Sequence, residues 1–565
     1  MKKTLFWFRQ DLRLSDNPGL HAALARGAVL AVYILNEKQA IGPTQDIKGC
    51  TIDAPRQDAK KAMIDATTQG VEPCVMDASM NFGMGAASRW WLHHSLSKLN
   101  QKLQGHLNVY QGHPESIIAQ LIQKHEIDAV YWNRCYEPDR ITEDARIKAA
   151  LKQRHIECKS FNASLLFEPW TILKSDGTPY KVFTAFYQNG CLRAAEPRLP
   201  LVIPEKQSWI LDCARSMEMP EESKAALLQD GVQVVAKEDG AAMSVIAERR
   251  AAVLALSLGQ QCQALQIEDL KLLPDKDWYQ SLEQHWCPGE EGAALQCQHF
   301  IEEGLRDYVL GRDIPGCASV SGLSPYLHFG EVSVHQLWHR VQGESANPEI
   351  ATPQIEAFLR QLIWREFSYY WLYHFPELPH KNWRASFDHF PWQNNPSFLR
   401  SWQQGQTGYP IVDAGMRELW QTGYMHNRVR MIVASFLIKN LNVDWRAGAA
   451  WFWDCLVDAD LANNSASWQW VAGSGLDAAP YFRIFNPVTQ AQRFDPEGVY
   501  IKSFLPELAL LPVPYLFEPW KAPTEVLKAT GVRLGVDYPM PIVDLKESRQ
   551  RALAAFASLK SSTVP

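Results

Sequence analysis

Gln361, Trp364 and Arg365 stand at positions i, i+3 and i+4, so a helix over Ile355 to Phe375 sets an amide, an indole and a guanidinium on one face. Such a face can look into a cavity, where the indole stacks on a planar ring and its neighbours supply hydrogen bonds. Asn427, Arg428, Arg430 and Met431 fall together on a second helical stretch, Ala414 to Leu441. Ser321-Gly322-Leu323-Ser324 offers hydroxyls and consecutive backbone N–H groups ahead of a helix, which can hold a diphosphate without much positive charge. The simpler use of such serines is an N-cap. Twenty-one tryptophans are many for 565 residues, and they crowd the last third, at Trp364, Trp383, Trp392, Trp445, Trp451, Trp453, Trp468 and Trp470. Taken alone, such a cluster reads as core packing, since aromatic rings dominate core burial.

Two kinds of element must carry these residues. The N-terminal third alternates buried strand-like runs (Thr4 to Arg9, Val29 to Leu35, Leu107 to Tyr110, Ala129 to Trp132) with helices (through Leu24, Trp90 to Leu103, Ile141 to Gln153). That alternation predicts a doubly wound parallel α/β sheet. No Gly-x-Gly-x-x-Gly follows the first strand, so a dinucleotide site of the usual kind is not indicated there. From about Ile210 the pattern changes to long amphipathic helices, which predicts a second, all-helical domain. The expected division is an α/β domain over 1–160, a linker over 161–300, a helical domain over 301–520 and an extension over 521–565. Two stretches read as insertions: about 39–84, rich in Gly, Asp and Met, and about 205–263, charged and alanine-rich. No run approaches the roughly 20 apolar residues of a membrane helix, and the N-terminus lacks a signal-peptide core, so the expected compartment is the cytoplasm. Eleven scattered cysteines without a Cys-x-x-Cys pair argue against a zinc site or a disulfide framework. The net charge of −6 points away from nucleic acid, which leaves local charge to decide.

Ordered motifs settle the direction. Trp7-Phe-Arg-Gln-Asp-Leu-Arg-Leu14, Arg89-Trp-Trp-Leu-His-His-Ser-Leu96, Leu166-Phe-Glu-Pro-Trp170 and Pro179-Tyr-Lys-Val-Phe-Thr184 come first. Ser321-Gly-Leu-Ser-Pro-Tyr-Leu327, Ile363-Trp-Arg-Glu-Phe367, Thr407-Gly-Tyr-Pro-Ile-Val-Asp-Ala414, Met425-His-Asn-Arg428, Trp468-Gln-Trp470 and Ala478-Ala-Pro-Tyr-Phe-Arg-Ile-Phe-Asn-Pro487 follow. The chain resembles the DNA photolyase and cryptochrome family over nearly its whole length, the insertions apart, and is most like bacterial cyclobutane-dimer photolyases of class I type. The resemblance implies an α/β antenna domain and a helical domain holding a bent FAD. It assigns cofactor contacts to Tyr308, Val320, Ser321, Gly322, Leu323, Ser324, Gln361, Arg365, Asn427, Arg430, Asp458, Ala459, Asp460 and Asn464. Asp458 is the expected partner of Arg430, and the pair would steady a reduced, anionic ring. Val320 stands where the family usually has Thr. Asn464 matches the position facing flavin N5, where plant-type cryptochromes typically carry aspartate, so it favours repair over signalling. Trp392, Trp445 and Trp468 match the three tryptophans through which the flavin is reduced from the surface. Trp364, Arg365, Asn427, Arg428, Met431, Trp470 and Gln490 are expected at UV-damaged DNA, with Trp364 and Trp470 as aromatic walls for a flipped lesion.

The implied reaction is light-driven splitting of cyclobutane pyrimidine dimers by an electron from FADH⁻. Gln361 departs from the family's glutamate and cannot supply a proton or a charge, so Gln361→Glu is expected to raise the repair yield. Enzymes of (6-4) repair share that glutamine but use two histidines where this chain has Asn427 and Met431. The bacterial (6-4) branch further needs a four-cysteine iron-sulfur site, and only Cys317 and Cys455 lie beyond residue 300. A cryptochrome-type blue-light sensor is the main rival; a flavin oxidoreductase would need a nicotinamide site. A folate, deazaflavin or second flavin is the expected antenna, with Asn133, Tyr136 and Glu137 as its contacts. The family expectation is a monomer, with no metal.

Overall fold

The computed structural model describes residues 1–36, 83–212, 262–273 and 277–561. The insertions expected at about 39–84 and 205–263 lie almost wholly outside the described residues. Five parallel strands form one sheet in the order β3-β2-β1-β4-β5: β1 Lys3–Phe8, β2 Ala28–Leu35, β3 Leu107–Gln111, β4 Ala129–Asn133 and β5 Glu157–Phe161. Every residue of β2 is buried, as expected of a strand covered on both faces. Helices α1 (Pro18–Arg26), α2 (Ala86–Lys102), α3 (Pro114–His125) and α4 (Pro138–Gln153) provide the crossovers. Asn17 caps α1 by accepting from the Leu20 N–H at 3.1 Å, and Pro18 starts the helix. The sequence reading lacked α3 and β5. Strand β5, Glu-Cys-Lys-Ser-Phe, is a partly exposed edge with no apolar alternation to reveal it.

The expectation that the helical half begins near Ile210 needs correction. The Val29 N–H donates to Ser208 O at 2.8 Å, the Ile210 N–H to Val29 O at 2.8 Å, and the Leu265 N–H to Val109 O at 2.8 Å. Both flanks of the second insertion therefore return to the sheet, and among the described residues that follow it the first α-helix is Gln280–His285. The long helix expected over Ala414 to Leu441 is also divided. Gly423 closes the first piece, α7 (Pro410–Thr422), in the left-handed region at φ 66° that favours glycine, and His426 then caps α8 (Asn427–Ser435). This break places Asn427 and Arg430 on the first turn of a new helix rather than midway along an old one. The other helices that frame the centre are α5 (Glu290–His299), α6 (Thr352–His374), α9 (Trp445–Cys455), α10 (Leu461–Ala472) and α11 (Pro487–Phe494). The terminal helix α12 (Leu545–Ser561) packs Ala552 and Phe556 on Phe387, Phe390 and Tyr481.

The two halves are joined by buried polar contacts. Fully buried Arg13 donates to Gly330 O and to Ala163 O, each at 2.7 Å, and thereby fastens the sheet, the linker and the helical half. Glu331 accepts from Trp91 Nε1 on α2 at 3.1 Å and from the Gly289 N–H at 2.7 Å; burial pushes its carboxyl up to about 8.

Candidate active site

Helices α6, α8, α9 and α10, with the loop before Ser324, enclose a cavity of about 530 Å³. Its size suits a ligand larger than a single ring system. Of the residues assigned to the cofactor, all fourteen from Tyr308 to Asn464 line this cavity, together with Trp364, Met431, Trp468 and Trp470. They come from segments more than 150 residues apart, so the fold rather than local sequence brings them together.

At one end lie Asp458 and Arg430. Arg430 Nη2 meets Asp458 Oδ2 at 2.9 Å while its Nε donates to Met425 O at 2.7 Å, which fixes the guanidinium plane. The Ser324 hydroxyl donates to the same Asp458 Oδ2 at 2.6 Å. Asp458 Oδ1 is buried and has no hydrogen-bond partner within the protein. Asp460 is used differently. Its Oδ1 caps α10 by accepting from the Asn463 N–H at 2.8 Å, and its Oδ2 accepts from the Tyr369 hydroxyl and from His328 Nδ1 at 3.4 Å. Burial raises its pKa, but the hydrogen bond and charge of His328, the charge of Arg365 and the hydrogen bond from Tyr369 together outweigh that and hold it down to about 2. Asp460 is thus an ionised residue that shapes the wall, with most of its lone pairs already taken by protein.

The loop at Ser321 holds its shape through a contact the sequence reading missed. Gln296 on α5 donates Nε2–H to Ser321 O at 2.8 Å, and Gly322 turns at φ 62°, where an added Cβ would stand 2.9 Å from that same Nε2. The helix that follows, Ser324–His328, has only five residues, so the backbone of the loop carries more of the anion-binding capacity than a helix dipole does. Asn464, which lines the cavity, donates Nδ2–H to Ala449 O at 3.1 Å.

On α6, Gln361 Oε1 accepts from Arg312 Nη2 at 3.2 Å, and its Nε2 donates to Ala357 O at 3.2 Å. A carboxylate at 361 would therefore meet a guanidinium, which reduces the gain expected from Gln361→Glu. Arg365 lines the cavity but donates Nη1–H to Ser164 O at 2.8 Å and lies 4.9 Å over the Tyr369 ring. Trp364 stacks face to face on Phe183, with ring centroids 3.6 Å apart and planes 6° from parallel.

Four assigned residues stand outside the cavity. Arg428 pairs with Asp313 at 2.9 Å and lies 4.4 Å over Phe494, outside the cavity lining. Gln490 sits on α11, outside the lining. Trp445 is 1% exposed and donates to Asn382 Oδ1 at 2.9 Å; half-buried Trp392 packs on Phe390 at 4.3 Å. Trp468 lines the cavity and is buried, as Trp445 is. His426, 2% exposed, caps α8, and burial drives its pKa down to about 4, so it is no acid for the cavity.

The antenna contacts need correction. Asn133 donates to Asp11 Oδ2 at 2.5 Å and to Asn17 Oδ1 at 2.7 Å, and accepts from the Gly19 N–H at 3.1 Å. Tyr136 is 2% exposed and donates to Glu168 at 2.8 Å. Both are consumed by the protein's own structure; only Glu137, at the start of α4, retains surface.

Comparison with known proteins decides the family. Residues 358–558 match the FAD binding domain of DNA photolyase, and residues 4–54 and 56–205 match the DNA photolyase model. A deoxyribodipyrimidine photo-lyase of Agrobacterium fabrum is 40% identical over 99% of this chain and 98% of its own length. The chain belongs to the DNA photolyase and cryptochrome family. Cryptochrome-1 of Arabidopsis thaliana is 31% identical over 98% of this chain and 70% of its own length. A bacterial class III photolyase structure from Agrobacterium tumefaciens superposes with a TM-score of 0.80 at 38% identity, over 99% of this chain and 98% of that one. The helical half is thus the family's FAD-binding domain, and the cavity fits that group: a buried acceptor without a partner at Asp458, a fixed guanidinium at Arg430 and a turned loop at Gly322. No group of metal-ligating side chains occurs among the described residues. Nor is any helix among them long and apolar enough to cross a membrane.

Proposed function

We propose that the protein repairs cyclobutane pyrimidine dimers in DNA under blue light. The observation that carries this reading is the shared cavity: the Arg430–Asp458 pair and Asn464 open into the same space as Trp364 and Trp470. FAD, when bound and reduced, supplies the electron that opens the cyclobutane ring. Arg430 and Asp458 would hold the isoalloxazine edge, Asn464 Oδ1 would accept a hydrogen bond from it, and Gln296 would keep the Ser321 loop shaped for the diphosphate. Trp364 and Trp470 would stack on the two pyrimidines, whose disturbed stacking makes them cheap to flip out. Asn427 and Met431 would contact the lesion, while Arg428 and other rim cations take phosphates. Trp468, Trp445 and Trp392 would carry electrons inward from the surface.

The dimer is favoured over the (6-4) lesion because Asn427 and Met431 stand where (6-4) enzymes carry their two histidines, His426 is buried and neutral, and the histidine that does line the cavity, His328, is engaged by Asp460. A signalling role is less well supported by residues 500–561. They pack onto the helical half, with Leu516 and Tyr538 at most 1% exposed. The test is anaerobic illumination of the reduced protein with oligonucleotides carrying either lesion. Recovery of intact thymines from the cyclobutane substrate alone is expected, and no recovery from it would overturn the proposal.

A further inference from the structure

Trp364 and Trp470 belong to different helices, α6 and α10, and a flipped dinucleotide needs the gap between them held to a fraction of an ångström. One residue outside both helices touches the support of each. Phe183, in the linker motif Pro179 to Thr184 to which no role has been given so far, is 6% exposed. Its ring lies flat on Trp364, 3.6 Å between centroids, and continues as a parallel stack to Tyr187 at 5.9 Å, over whose ring Arg360 lies at 5.6 Å. An indole covered this way on one face cannot turn without breaking the stack, so its other face is committed to the cavity. The Phe183 N–H, meanwhile, donates to Asp477 Oδ2 at 3.0 Å. Asp477 sits in the loop that leaves α10, and this loop folds back so that the N–H groups of Gly473 and Ala479 both donate to Trp470 O, at 3.3 and 3.2 Å. The segment is also pinned to α6, since the Tyr180 N–H donates to the Tyr370 hydroxyl at 2.9 Å.

We propose that Phe183 is a positioning residue that sets the separation of the two aromatic walls, by its ring toward Trp364 and by its backbone, through Asp477, toward Trp470. The linker thereby acts as a spacer for lesion recognition, and discrimination between damaged and intact DNA depends on it although it touches neither lesion nor flavin. This rests on the reading of Trp364 and Trp470 as walls of the lesion site.

The test uses the FAD-loaded protein in the dark and compares affinities for an oligonucleotide with one cyclobutane dimer and for the same undamaged sequence. Phe183→Leu keeps the apolar volume but ends the ring stack. It is expected to weaken dimer binding about three- to tenfold, with flavin content and affinity for undamaged DNA unchanged. Phe183→Tyr, which keeps the stack, should restore wild-type discrimination. Asp477→Ala, which leaves the ring in place and frees the backbone, should weaken dimer binding in the same sense and guards against misfolding of the first variant. In a Trp364→Ala background Phe183→Leu should add nothing. Wild-type discrimination in both Phe183→Leu and Asp477→Ala, alongside weakened dimer binding in Trp364→Ala, overturns the spacer role. Equal losses for damaged and intact DNA overturn it too, because they indicate general unfolding. Unchanged dimer binding in Trp364→Ala would instead overturn the reading of the cavity itself.

Discussion

The chain has two places where its topology invites a ligand, and it fills them in opposite ways. In the α/β half, the strand order reverses between β1 and β4, the crevice where open parallel sheets usually bind ligands. There Arg9 pairs with Asp144 at 2.7 Å, Asn133 bridges Asp11 and Asn17, and every one of these groups is at most 6% exposed. Side chains that could have held a ligand hold one another. In the helical half the balance is reversed: Asp458 keeps a buried oxygen without a donor, Arg430 is held by Asp458 and Met425 O, and two tryptophans line the same 530 Å³ space. Polar residue types alone do not make a site; what matters is whether the fold leaves them partners.

This contrast can be broken by substitution on each side. The largest effect is expected from Arg430→Ala. Removing one partner of a buried ion pair leaves Asp458 uncompensated, at a cost of about 3–5 kcal/mol, so the protein should lose FAD on gel filtration while remaining folded. Retained flavin would place the cofactor elsewhere. Asn133→Ala should do the reverse: unfolding free energy drops by about 1–3 kcal/mol as buried donors and acceptors lose their partners, with flavin content and repair intact. Loss of a second pigment in that variant, with stability unchanged, would return the crevice to the role of antenna site.

A smaller effect concerns the joint between the halves. Burial raises the Glu331 carboxyl to about 8, above its unfolded value, so the folded state binds more protons than the unfolded one between roughly pH 4.5 and pH 8. Its contribution to stability is therefore complete at the acid end of that window and lost as pH rises through it. Thermal unfolding should show a falling Tm from pH 5 to pH 8 that Glu331→Gln flattens; an unaltered slope would mean that other carboxyls set it. Smallest is Gln361→Glu. Arg312, 3.2 Å from Gln361 Oε1, would pair with the new carboxylate and deprive it of a proton to give, so the repair yield should rise by less than about threefold.

Much of this was legible before any coordinates, for identifiable reasons. Strands β1 to β4 are apolar-rich runs that alternate with helix signals. The face shared by Gln361, Trp364 and Arg365 followed from helical spacing, and the Arg430–Asp458 pair from the family's motifs. What escaped lay in tertiary contacts. Gln296 reaches the Ser321 loop across 25 residues of sequence, and Phe183 meets Trp364 across 181; neither carries a local signature. The break between α7 and α8 was hidden because apolar periodicity continues through Gly423 in register. The antenna contacts failed because nearness to a sheet's carboxyl end says nothing about which polar groups are already spent on their neighbours.

The central claim is that one cavity has a flavin-holding floor and a separate lesion-gripping rim. Trp470→Ala tests it most directly, with flavin content and dimer affinity measured on the same preparation. A full complement of FAD is predicted, with dimer binding weakened about tenfold, the value of one aromatic–base stack. Unchanged dimer affinity, or flavin lost together with it, would contradict the division between floor and rim.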